Sequence, residues 1–298
     1  MKGEGAPALA VGSPAFRWGK ALGAALRVLR RNPAMGAGAC ILLLVIAIAA
    51  LAPWVARADP VKTNPVERLK PPSAQYWFGT DHTGRQVYAR TIYGSRISLV
   101  VGFAVGLIVA GAGAVIGLVS GYYRAVDNLV MRGMDGVMAF PALLLALALI
   151  ALLGSSLQNV IIAISVVETP RTVRVVRASV LSLREQDFVT AARAVGAEPL
   201  RVLGVHILPN IVAPLLVQTT FVFALAVIVE ANLSFLGAGT PPYIPTWGNI
   251  MGQGRTYLQL APWVTFFPGL FLSLTVLAIN LVGDGLRDAL DPKLARRL

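Results

Sequence analysis

The side chains that could do chemistry are few and scattered. His82 and His206 lie far apart in the chain, and the single cysteine, Cys40, sits inside an apolar run with no second thiol to join it in a disulfide or a metal site. No GxxxxGK[ST] phosphate loop is present, so the chain has no visible means of binding ATP itself. No Ser-His set, aspartate pair or HExxH motif occurs at matching depth. The expectation is therefore no catalytic residue, no metal and no cofactor. What remains is a handful of ionisable groups beside apolar runs, and these are functional candidates by default. Glu230 is expected either to line a path or meet an external partner, or else to face the outer interface. Asp135 is expected to pair with Arg132, at i and i+3 on one helix face, and Glu168 with Arg171 or Arg174.

The elements that must hold these groups follow from composition. Of 298 residues, 56% are hydrophobic and 13% charged, with a mean hydropathy of +0.70. Soluble domains carry about 25% charged residues, so the chain reads as an all-α polytopic membrane protein. The first apolar run starts too far in, and lacks a small-x-small cleavage site, to be a signal peptide. Its net charge of +12 then reads as topology signals and headgroup contacts in a lipid bilayer, with no nucleic acid as partner.

Residues 1–35 form a basic N-terminal segment, 36–56 a first transmembrane span and 57–96 a polar loop. A core follows over 97–298 with five more spans, near 97–123, 134–153, 159–170, 208–231 and 262–282. Six spans put both termini on one face. Arginine-rich flanks at the N-terminus, 124–132, 171–205 and the C-terminal tail make that face cytoplasmic. In the tail, Asp284, Arg287, Asp288 and Asp291 read as a solvated helix end.

One polar stretch interrupts the spans: DFVTAARAVGAEPLRVLGVHILPN, 187–210. Phe188, Ala191, Ala192 and Val195 recur at spacings of three and four, which predicts an amphipathic helix. Gly196 interrupts it, and Pro199 suits the first turn of a second helix. That helix runs through His206, Ile207, Leu208 and Pro209 into the membrane. An amphipathic element of this kind, about 187–205 and fixed to a transmembrane helix, is built to seat in a groove of a soluble partner.

Thr190-Ala191-Ala192, then Gly196, then His206-Ile207-Leu208-Pro209 resembles the EAA signature of bacterial ATP-binding-cassette importer permeases, with Thr190 where the signature has Glu and His206 where it usually has Ile. WFGTDHTGRQVYARTIYGSRISL (77–99) resembles the dipeptide/oligopeptide permease family, with Gln86 where that family commonly has Asp. SFLGAGTPPYIPTWGNIM (234–251) and NLVGDGLRDALDPKL (280–294) match it in the same order. Together the matches resemble the C-type of the two paralogous permease subunits.

The resemblance implies a type I importer permease fold in the bacterial inner membrane. It also implies a paralogous permease subunit, two cytoplasmic ATPases, an extracytoplasmic solute-binding protein and a peptide substrate. It places Asp187, Thr190, Ala191, Ala192, Gly196, Leu208 and Pro209 at the ATPase coupling site, with Leu208 and Pro209 passing movement into the membrane, aided by bending at Pro170. Gly237, Pro241 and Trp247 fall in an external loop or gate, where Tyr243 and Trp247 could anchor at the bilayer surface. Nickel, a glutathione-like peptide or a sugar-derived compound is an alternative cargo. An ion-coupled secondary transporter would favour charges deep in the spans, and none is centred there.

Overall fold

The computed structural model describes residues 32–290, so the basic segment before Asn32 and the tail from Asp291 lie outside the described residues. The described chain is helical, with one isolated β-bridge between Thr80 and Gln86. Helix α1 spans Pro33–Ala50; Asn32 caps it by accepting from the Met35 N–H, and proline occupies its first position, where no N–H is missed. A short α2 (Ala52–Val55) precedes the polar loop. The mast of the structure is α3, Val87–Tyr122, whose 36 residues give a length of about 54 Å.

After Tyr123 come α4 (Arg124–Met138), α5 (Ala142–Leu153) and α6 (Leu157–Leu183), the last capped by Ser156. The polar stretch forms α7 (Asp187–Ala194), a one-turn α8 (Pro199–Arg201) and a π-helical turn (Val202–Ile207). That turn runs unbroken into α9 (Leu208–Phe235), and α10 (Trp247–Gly254) and α11 (Trp263–Leu290) complete the order.

The expected six spans are not what the structure shows. Four helical segments are long and apolar enough to cross a membrane: Pro33–Ala50, Val87–Tyr122, Pro199–Phe235 and Trp263–Leu290. A fifth is reached only if α4 and α5, which meet at 90°, count as one span. The charge-free run 136–167 misled because apolar length says nothing of bends. Pro141 starts α5 afresh, and Gly154 (φ +88°) ends it after 12 residues, about 18 Å against a hydrocarbon core of about 30 Å. The expected fourth span, 159–170, is instead the first half of α6. That helix continues through Pro170 and takes on Arg171, Arg174 and Arg177.

Close approach of α3 and α6 is the most extensive helix contact. Gly113, Gly117 and Gly121 recur every fourth residue along one stripe of α3. A Cβ at Gly117 would stand 2.7 Å from Val176 Cβ, and one at Gly121 2.7 Å from Val180 Cβ. Small residues at this spacing let two backbones meet, which is how helices associate where lipid is as apolar as leucine. Val101, Val105 and Val109 of α3 then form a core with Ala146 and Ile150 of α5, Ala163 and Ile164 of α6, and Val222 and Ala226 of α9. Helix α1 lies against α11, where Gly38 meets Leu281 and the Asn32 amide reaches Asp288 at 3.3 Å. Gly117→Leu should therefore lower the thermal stability of the detergent-purified chain by about 1–3 kcal/mol through overpacking. Gly111→Ala, whose Cβ meets nothing within 4 Å, should not lower the melting temperature, since alanine is the better helix former.

Candidate functional site

The 187–207 segment forms a bracket across one end of the helix bundle. Asp187 sits in the first turn of α7, where a carboxylate suits the helix dipole, and the Thr190 hydroxyl donates to the Asp187 carbonyl at 2.9 Å. Val189 and Ala192 turn inward. With Val202, Leu203 and Ile207 of the π turn, Val189 joins Val176 and Val180 of α6 and Ile211 of α9, flanked by Leu118 and Tyr122 of α3.

The end of α7 is closed by two backbone bonds, Gly196 N–H to the Arg193 carbonyl and Ala197 N–H to the Ala192 carbonyl, both 3.0 Å. This double cap requires a left-handed residue after the helix, and Gly196 has φ +86°. Ala197 then packs into the same apolar cluster. Leu208 and Pro209 open α9 directly above the π turn.

The bracket's outer surface carries Thr190, Ala191 and Arg193, with Phe188 44%, Val195 86% and Leu200 77% exposed. Of the expected apolar stripe, Ala192 alone is buried, whereas Phe188, Ala191 and Val195 face out. Val189 and Val202 are the anchors that sequence reasoning passed over, although Val189 and Ala192 share a face at i and i+3. Arginines brace the surrounding helices. Arg177 grips Asp127 through two bonds of 2.5 and 2.6 Å, Arg184 donates to the Gly121 carbonyl, and Arg193 lies 5.0 Å from the centre of the Tyr122 ring. Asp135 pairs with Arg174 across helices at 2.5 Å, not with Arg132 one turn away. Glu168 is buried and makes no ion pair among the described residues, while Arg171 lies over the Phe221 ring.

At the opposite end, buried polar bonds lie among the apolar clusters. Glu230 is fully buried: it accepts from the Ser234 hydroxyl at 2.7 Å and from Ser98 of α3 at 3.5 Å. Its place is thus a helix junction, neither a path wall nor the outer surface. The 236–246 loop turns at Gly237 (φ +85°) and wraps the Asn249 amide, which donates to the carbonyls of Thr240, Pro241 and Ile244. Trp247 is also fully buried, with its indole N–H on the Thr91 carbonyl at 3.1 Å and its ring beside Val45 and Val227. It is a wedge between helices instead of a surface anchor; Tyr243 is the exposed aromatic of the loop.

Nearby, Asp81 accepts from the Thr83 N–H and hydroxyl and from the guanidiniums of Arg85 and Arg90, each at 2.8 Å, and from the Arg85 backbone N–H at 3.0 Å. Gln253 of α10 accepts from both arginines at 2.7 and 2.9 Å. Burial pushes the Asp81 carboxyl up, but Arg90, Arg85 and the Thr83 bonds outweigh it and hold it below the usual carboxylate value. His82 is held below its usual value, chiefly by burial, with its ring stacked on Tyr257. The DHTGR run could have flagged the local turn around Asp81, but nothing local to Gln253 announces that it closes the network.

Removing one partner of a buried ion cluster strands the other. Asp81→Asn should thus destabilise this end by about 3–5 kcal/mol, read as faster amide exchange over 64–90. Because the Asp81 carboxyl lies low in the folded state, its stabilisation is complete above the ordinary value of about 3.9. It is lost only as pH falls through the lower folded value, so exchange at 64–90 should be pH-independent above that range once intrinsic rates are corrected.

Against known proteins, residues 98–296 match the family model described as binding-protein-dependent transport system inner membrane component, and residues 21–72 match the N-terminal TM domain of oligopeptide transport permease C. A protein of Brucella abortus biovar 1 assigned to a peptide transport system as its permease is 50% identical over 268 residues, 90% of each chain. The dipeptide transport system permease protein of Alkalihalophilus pseudofirmus is 46% identical over 91% of this chain and 89% of its own. In fold, the chain is similar to a chain of the inward-facing MetNI methionine ABC transporter, with a TM-score of 0.57 at 20% identity over 68% of this chain and 96% of that one. The chain belongs to the binding-protein-dependent transport system inner membrane components, the non-catalytic permease subunits of such transporters.

Proposed function

We propose that the chain is the C-type permease subunit of an ATP-driven importer of dipeptides or oligopeptides, and that the 187–207 bracket is where ATPase movement enters the membrane. The relatives named above support the cargo class. The observation that carries the mechanism is the bracket itself: an exposed apolar edge of Phe188, Val195 and Leu200 on an element whose other side is buried among α6, α9 and the end of α3.

A cytoplasmic ATPase groove that accepts this edge would shift α7. The shift passes through the Val189 and Ala192 contacts and the π turn to Leu208 and Pro209, and so to α9. Hydrolysis stays with a pair of ATPases; a paralogous permease completes the path. The end held by Asp81, Arg90 and Gln253, with Gly237, Pro241 and Trp247 shaping its loop, offers a rigid seat to an extracytoplasmic binding protein.

Orientation follows from charge. The start of α1 meets the end of α11 through Asn32 and Asp288, and Arg287 and Leu290 share a cavity with Ala213 and Pro214 near the start of α9. Both described ends therefore lie at the bracket end, which also gathers Arg124, Arg174, Arg177, Arg184, Arg193 and Arg201. With the basic residues that the sequence adds before Asn32 and after Leu290, the positive-inside rule supports a cytoplasmic bracket end.

The test is co-purification in detergent of the chain with its ATPases and second permease. Val195→Asp with Leu200→Asp should reduce ATPase recovery at least about tenfold, as expected for loss of central apolar contacts, with the melting temperature of the chain unchanged. Ala192→Arg should lose ATPase and stability together, because Ala192 faces inward. Full ATPase recovery by the double aspartate variant would sink the docking assignment.

A further inference from the structure

Two adjoining cavities, about 470 and 370 Å³, lie along the crossing of α9 with α11, the first also bordered by Val175 of α6. They share Val217, Gln218 and Arg287, and form one trough in the cytoplasmic half of the molecule as oriented above. Sites for small ligands fall in this size range.

The lining is unusual for a membrane helix pair. Gln218 has its side-chain N–H₂ buried and without a partner among the described residues. Asn280, Asp284 and Arg287 are exposed along one stripe of α11, at i, i+4 and i+7. Asp284 and Arg287 form no ion pair with each other among the described residues. Toward the other end, the exposed stripe of α11 turns apolar at Leu270, Leu274 and Leu277. Polar amides and charges cost too much to face hydrocarbon, so the change from leucine to Asn280, Asp284 and Arg287 marks where that face meets water or a polar cargo. Beneath the trough, Gly283 lets Thr220 approach so closely that a Cβ would stand 2.5 Å from its hydroxyl. The two helices thus form a continuous floor.

We propose that this trough is the inner mouth of the translocation path and a transient site for a zwitterionic short peptide. This rests on the peptide-importer reading. Arg287 takes the peptide carboxylate, Asp284 its ammonium, and the Gln218 amide a peptide carbonyl. Opposite charges one helical turn apart, beside an amide donor, present complementary partners for the groups that every unmodified short peptide carries, and leave side chains unread.

The experiment uses the assembled transporter in liposomes, with its binding protein, ATP and the dipeptide dialanine as probe. In a Cys40→Ser chain, which lacks other thiols, Asn280→Cys should react with a membrane-impermeant maleimide, and dialanine should slow that reaction during turnover. Dialanine uptake should fall about tenfold in Asp284→Asn and in Arg287→Gln, the scale of a lost charge-assisted bond, and recover in Asp284→Glu and Arg287→Lys. Labelling of Asn280→Cys only after the second permease is removed would mean that the partner subunit fills the trough, and would overturn the site. Wild-type uptake that neither charge-removing variant alters would also overturn the site, and leave the peptide reading standing. If the wild-type transporter moves no di- or tripeptide, the peptide reading falls and the site with it.

Discussion

The glycine stripe of α3 is the contact on which the rest of the molecule depends. Gly117 and Gly121 admit Val176 and Val180 of α6 to within van der Waals reach of the α3 backbone. The same two valines, on their other side, are members of the apolar cluster that holds Val189, Val202 and Ile207. The mast, α6 and the bracket are therefore one packed unit. Tightly packed side chains transmit displacement because they have no void into which to relax. A bracket anchored this way cannot tilt without carrying the adjoining ends of α6 and α9 with it.

The two ends of the molecule hold their polar groups differently. At the bracket end a buried apolar cluster is braced by ion pairs nearer the surface, Arg177 with Asp127 and Arg174 with Asp135. At the other end apolar clusters surround polar bonds that are themselves buried and directional. Asp81 has its two guanidiniums, Gln253 accepts from both, and Glu230 has Ser234 and Ser98. A buried polar cluster is stable only when every member is satisfied, which makes small displacements costly and the arrangement close to all-or-none. Under the function proposed above, the end with the buried polar cluster would be the fixed docking surface and the bracket end the one that moves.

Legibility in the sequence followed the same split. The bracket's helix–break–helix form could be read because its signals are local, a glycine where the helix must stop and a proline where the next must start. The apolar period over Phe188, Ala191, Ala192 and Val195, however, picked the wrong face. The long helices were equally plain from charge-free runs. The span count failed because bends at Pro141 and Gly154, and the continuation of α6 through Pro170, depend on packing rather than on hydropathy. Trp247 was misread because burial between α3 and α9 is tertiary, and an isolated tryptophan beside an apolar segment looks the same whether it wedges or anchors. The Asp81 network was hidden for a related reason: Gln253 is far away in the chain, and no local period connects them.

The departure at Thr190 gains a physical meaning once the bracket is seen. A glutamate there would place a carboxylate on the exposed side of α7, in its first turn. Thr190 instead turns its hydroxyl back onto the Asp187 carbonyl, while Asp187, exposed at the start of the same helix, keeps a negative charge on that turn. Asp187 lies three residues earlier, at the helix N-terminus, where a carboxylate interacts favourably with the dipole. The first turn thus carries one acid, at its start. In the docking proposed above, contact would fall to the exposed apolar edge of Val195 and Leu200, and charge complementarity to Asp187. The bracket's seat on the bundle rests instead on buried Val189 and Ala192 and on the Gly196 cap, so substitutions on the outer face leave that seat in place.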